Sequence, residues 1–177
     1  MTPMTIAEGM KQIKLLLRKA EDLRKKIAEH CADLSYEAPV YGTPDEQRKT
    51  VAGWLQAHGD LLREVADLKR RISATNLATE PTIQLGGKGV AKPITEWVAR
   101  RTQLAALDEA AWKALTDRNL RDGGLQATAP GAPSVPVQVR RYYDPKERDA
   151  RVELYRSEPT VIDSALETVN ATTQLVE

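Results

Sequence analysis

The residues best suited to chemistry are Arg140-Arg141-Tyr142-Tyr143. An arginine guanidinium is a planar fork that matches phosphate oxygens. A tyrosine ring offers a stacking face for a base, and its hydroxyl meets a polar edge. The run follows an alternating segment, Val135, Val137 and Val139, and leads into Asp144-Pro145-Lys146-Glu147, which has the pattern of a helix start. Amides exposed at such a start favour an anion, although Asp144 would compete with it. In strand alternation Arg140 and Tyr142 face one way and Arg141 and Tyr143 the other. One pair is therefore expected to line a pocket while the other packs or meets acids. Arg100 and Arg101, within an expected helix, are further ligand-binding candidates, as is Asn76 beside Thr75. The competing reading is that the Arg-Tyr cluster only closes a sheet edge or a subunit interface, and that Asn76 and Asn170 cap or register helices.

Other chemistry is thinly represented. His30 and His58 fall on different expected helices without metal-ligand spacing, and no HExxH, GxSxG, CxxC or Walker pattern occurs. Gly86-Gly87-Lys88-Gly89 lacks the spacing of a phosphate loop and reads as a turn, with anion contact by Lys88 as the lesser alternative. The carboxylates are spread along solvated helix faces. These features point to a non-enzymatic protein with no cofactor and no metal. The formal net charge of +1 gives no global attraction to nucleic acid. A single cysteine, Cys31, excludes an intrachain disulfide and fits a reducing cytoplasm; it is expected as a small buried hydrophobe. The N-terminus turns charged too soon for a signal peptide, and no apolar run approaches the roughly 20 residues of a membrane span. A cytoplasmic protein is expected.

The elements that must position these residues are mostly helical. Phe is absent, charged residues make up 29%, and the core must be aliphatic. Thr5-Ile6-Ala7-Glu8 and Thr43-Pro44-Asp45-Glu46 are capping boxes. After the first, Ile6, Met10, Ile13, Leu17, Ala20, Arg24, Ile27, Cys31 and Leu34 recur in a four-three rhythm. After the second come Val51, Leu55, His58, Leu62, Val65, Lys69 and Ile72, flanked by Trp54, Leu61 and Leu68. Helices are predicted over 5–34 and 43–76, joined by the breaker SYEAPVYG, so they form an antiparallel hairpin. Tyr36 and Tyr41 are expected to cover one end. A β-ribbon follows over 82–91, a helix over 93–119, a Pro-rich linker over 125–136 and a strand over 137–143 that could pair with the ribbon. A last helix spans 145–175, kinked or broken near Pro159. The fold class is mainly α: a long, coiled-coil-like helical hairpin with further packed helices and a small antiparallel β-ribbon, in a single domain over 1–177.

Three segments resemble the septicolysin-like family, small helical proteins of bacteria and phages. Arg71-Ile72-Ser73-Ala74-Thr75-Asn76 is similar to the family's R-I-x-x-T-N, Ile94-Thr95-Glu96-Trp97-Val98-Ala99-Arg100-Arg101 to its L-T-E-A-L-A-R-R, and Asn170-Ala171-Thr172-Thr173-Gln174-Leu175 to its N-W-T-T-E-L. Ala171 departs from the family's Trp. The resemblance implies a helical protein that self-associates, without established catalytic residues. By analogy with small oligomeric phage proteins that sequester nucleotide immune signals, the expectation is a homo-oligomer holding a small, anionic, nucleotide-like ligand in a basic-aromatic pocket between subunits. The alternative is a structural or adaptor coiled coil whose seam, along Ile13, Leu17, Leu62 and Val65, binds a protein partner and no small ligand.

Overall fold

The structure, a computed structural model, describes residues 3–127, 130–131 and 133–176. It is mainly helical, with a long pair of packed helices and small antiparallel two-stranded sheets. The chain divides into two compact units, one of Met1–Pro81, Pro93–Thr95 and Leu166–Glu177, the other of Thr82–Lys92 and Glu96–Ala165.

In the first unit, α1 (Ile6–His30) and α2 (Pro44–Ala78) each begin on a complete capping box. The Thr5 and Thr43 hydroxyls accept the Glu8 and Glu46 amides, and those carboxylates accept the Thr5 and Thr43 amides at 2.8 and 2.7 Å. Two orphan donors are thereby satisfied at each helix start. The helices run antiparallel. A Cβ at Gly9, near the start of α1, would lie 3.4 Å from Ile72, near the end of α2. At the other end Gln47 Nε2 donates to the His30 carbonyl at 2.8 Å. Ile6, Leu16 and Ala20 of α1 and Val65, Leu68 and Thr75 of α2 are buried.

The hairpin covers only part of each expected seam. Met10 (41%), Leu17 (42%), Leu55 (56%) and Leu62 (43%) are exposed in the single chain. Each apolar face is wider than the contact, and a helix with 3.6 residues per turn drifts off a strict 3.5-residue stripe. The partner helix took the Leu16 and Leu68 side of the face. α1 also stops at His30 rather than at 34, because the His30, Tyr41 and Trp54 rings cluster there with centroids 5.2–5.7 Å apart. Cys31 consequently falls outside the helix and is exposed, not buried. Tyr36 stays 81% exposed, while Tyr41 joins the ring cluster.

The chain ends close the same unit. Leu175 N donates to Met4 O at 2.8 Å, Arg71 Nε to Val176 O at 2.9 Å and Val176 N to the buried Thr75 hydroxyl at 3.0 Å. Among the described residues no helix is long and apolar enough to cross a membrane.

In the second unit, β1 (Thr82–Leu85) pairs antiparallel with β2 (Lys88–Ala91). Gly86 and Gly87 make the turn at φ +55° and +79°, the left-handed pair that a two-residue hairpin needs. Next, α3 (Ile94–Ala99), a π-helical turn (Arg100–Leu104) and α4 (Ala105–Lys113) follow without interruption. Helix ends at Lys113, not 119, and Arg118 and Asn119 adopt φ +52° and +61°, which no helix continues through.

The expected linker holds a hairpin instead: β3 (Leu125–Ala127) pairs with β4 (Ser134–Pro136). Residues 128, 129 and 132 of that stretch lie outside the described residues. The strand expected over 137–143 is not one, and no ladder joins it to the 82–91 ribbon. Val137 exchanges backbone hydrogen bonds with Gly123 and Gly124 at 3.0 Å, and Val139 N donates to Asp122 Oδ1 at 2.6 Å. Beyond Val139 the segment leaves its neighbour.

α5 (Pro145–Thr172) runs unbroken through Pro159, so of the expected kink or break the break does not occur. A proline inside a helix costs about 3 kcal/mol. Ion pairs flank it. Arg100 grips Glu158, and Arg101 Nη1 meets Asp163 Oδ1 at 2.6 Å.

Candidate functional site

The site forms where the residues after α4 fold back against the residues before α5. Asp117 is its hub. Arg141 forks onto Asp117, Nε to Oδ1 at 2.8 Å and Nη2 to Oδ2 at 2.6 Å, and the Tyr143 hydroxyl donates to Oδ1 at 2.9 Å. Arg148, on the first turn of α5, lies 5.8 Å from the Tyr143 ring centre, within cation-π range. The same guanidinium donates to the Leu115 carbonyl at 3.1 Å, tying α5 to the end of α4.

The bonds from Arg141, then Tyr143, hold Asp117 below the ordinary aspartate value of 3.8. Asp117 in turn raises the Arg141 guanidinium, while burial and then Asp117 push the Tyr143 phenol up. A carboxylate with a depressed value contributes full stability above its unfolded value and loses it as pH falls through the folded one. The Asp117 carboxyl carbon, followed by NMR, should therefore titrate with a midpoint below 3.8, and Arg141→Ala should move that midpoint up. A midpoint at or above 3.8 in the wild type would contradict the fork.

A cleft of about 350 Å³ opens beside this hub. It is lined by apolar Ala114, Leu115, Leu120 and Val139, by Asp117, and by Arg118, Arg140, Arg141, Tyr142 and Tyr143. All four residues of the Arg-Tyr run line it, in two pairs. Arg141 and Tyr143 are engaged by Asp117. Tyr142 is 93% exposed, and Arg140 makes no hydrogen bond or ion pair among the described residues. The division into pairs follows backbone alternation although the segment is not in a sheet. The arrangement offers an open guanidinium, an open ring and apolar side chains beside them, which suit an anion carrying a flat ring.

The other candidates are elsewhere. Arg100 bonds Glu158, with Nη2 to Oε2 at 2.8 Å, and Asp108 Oδ2 at 2.9 Å. Glu158 raises its pKa, and Arg100 also lies 5.8 Å from the Tyr155 ring centre. Arg101 is engaged by Asp163. Neither lines the cleft. Asn76 sits on α2 in the first unit, and its Oδ1 is buried without a hydrogen-bond partner. Asp117, Arg118 and Arg148 were not candidates. Asp117 is 24 residues from Arg141, and no local pattern marks so distant a pair; Arg118-Asn119 ahead of Gly123-Gly124 is the one sequence sign of a turn there.

No family model matches the chain, and no curated protein does. A functionally unknown conserved protein from Corynebacterium diphtheriae has a similar crystal structure, with a TM-score of 0.51 and 19% identity, covering 99% of this chain and 100% of that one. The likeness concerns the fold alone.

Proposed function

We propose that this protein is a non-catalytic, cytoplasmic, self-associating binder that holds a small, anionic, nucleotide-like ligand in the cleft beside Asp117. One observation carries the reading: Arg140 and Tyr142 stand open on the cleft beside apolar side chains, and neither bonds another side chain among the described residues. Arg140 and Arg118 supply the anion contacts, and Tyr142 stacks on the ring. The resemblance to the septicolysin-like family is part of the same proposal, as is a sequestering role in the manner of a phage counter-defence sponge, which needs retention without turnover. The test is calorimetric titration of the full chain with a panel of nucleotides and cyclic nucleotides at two salt concentrations. The reading expects saturable binding that weakens with salt; no heat from any member of the panel would contradict it.

The second reading, an adaptor that binds a protein partner and no small ligand, draws on exposed Leu17 and Leu62, two of its four seam residues. Val65, a third, is buried in the unit's own core and is unavailable to a partner.

A further inference from the structure

We infer that the Asp117 carboxylate occupies the seat of a second anionic group of the ligand, so that the cleft takes a ligand with at least two anionic groups, one of which displaces Asp117. This rests on the cleft being the binding site proposed above.

Asp117 receives two parallel guanidinium bonds and a phenol bond from residues that line the cleft. That is the donor set with which proteins hold a phosphate or carboxylate: a planar fork and a hydroxyl converging on two oxygens. Asp117 belongs to an irregular segment between Thr116 and Asn119, with Arg118 and Asn119 at positive φ. Its carboxylate is thus carried by a turn rather than by a packed helix or strand. The recess on the far side of the fork is lined by Asp117, Arg118, Arg141, Tyr143 and Arg148, so the seat has open space beside it. Arg118, Arg140, Arg141 and Arg148 stand on the walls of the cleft and recess around Asp117, although Asp122 also acts on Arg141 and Arg148 pairs with Asp149 at 2.7 Å.

Two anion positions follow. The outer one is at Arg140 and Arg118, whose guanidinium groups bond no carboxylate among the described residues. The inner one is at Arg141 and Tyr143, where Asp117 resides in the absence of ligand. A ligand with one anionic group fills the outer position alone and leaves Asp117 in place. A second anionic group reaches the fork only in exchange for the Asp117 carboxylate, so the exchange sets the chain's preference for charge number.

The test uses the full chain, with AMP and ADP as probes in calorimetric titration, comparing wild type with Asp117→Asn. The asparagine keeps an oxygen to accept from Tyr143 but gives up the charge that holds the fork. ADP binding is expected to tighten about tenfold or more in D117N, which is about 1.4 kcal/mol, and by a clearly larger factor than AMP binding. In D117N combined with Arg141→Ala the ADP gain should vanish. Unchanged or weaker ADP binding in a folded D117N, beside measurable wild-type binding, would overturn the exchange and leave the cleft as the binding site. Absence of binding by both proteins would overturn both. Equal gains for AMP and ADP would overturn the second position, because relief of general repulsion explains them.

Discussion

Replacing Glu158 with alanine should lower the stability of the fold by about 3–5 kcal/mol, the usual result of removing one partner from a buried ion pair. The Glu158 side chain is 3% exposed and receives the Arg100 guanidinium through two nitrogens. Without it Arg100, itself largely buried, keeps only Asp108, whose side chain is 45% exposed. The loss falls beside Pro159, where the helix already lacks a backbone donor. Glu158→Gln retains an acceptor and should cost less than the alanine. Urea denaturation monitored by circular dichroism reads the difference as a shift in midpoint at constant slope. A loss under about 1 kcal/mol for the alanine would show that the pair merely breaks even against its desolvation.

The second large effect concerns binding. Arg140→Ala should weaken ADP by about tenfold or more, since a hydrogen bond to a charged group is worth about 1.5–3 kcal/mol. Tyr142→Ala should weaken it by a similar factor, because base stacking on an aromatic is worth about 1–3 kcal/mol. The double variant should lose about a hundredfold. Both side chains are exposed and neither bonds another described residue, so the melting temperature should hold while the affinity falls. Equal affinity in the double variant and the wild type would remove the cleft from consideration.

What the sequence made legible was local. Thr5-x-x-Glu8 and Thr43-x-x-Glu46 announce helix starts through contacts three residues apart, and both boxes are in place. Gly86-Gly87 announces a turn because few other residues adopt positive φ twice in succession. The separation of Arg140 and Tyr142 from Arg141 and Tyr143 follows from alternation alone. What stayed hidden depends on distant partners. The choice of Leu16 over Leu17, and of Leu68 over Leu62, was made by the opposing helix and not by either stripe. Continuity through Pro159 goes against the local rule for proline, and the ion pairs that flank it join Arg100 and Arg101 to acids 58 and 62 residues away. Local propensity placed a linker where Leu125 and Pro136 pair, since a three-residue strand rich in small residues leaves almost no periodic signal. The role of Asp117 was invisible for the same reason: an isolated aspartate in a polar turn looks like many others until Arg141 is folded onto it.

Native mass spectrometry of the protein purified from cells, before and after addition of nucleotides and cyclic nucleotides, tests whether the cleft holds a nucleotide-like anion. The expected result is a discrete assembly carrying a small-molecule adduct of defined mass, lost in the Arg140→Ala, Tyr142→Ala double variant while the assembly itself persists. A clean protein peak with no adduct, from cells or from any member of the panel, would contradict it and turn attention to protein partners of the exposed Leu17 and Leu62 face.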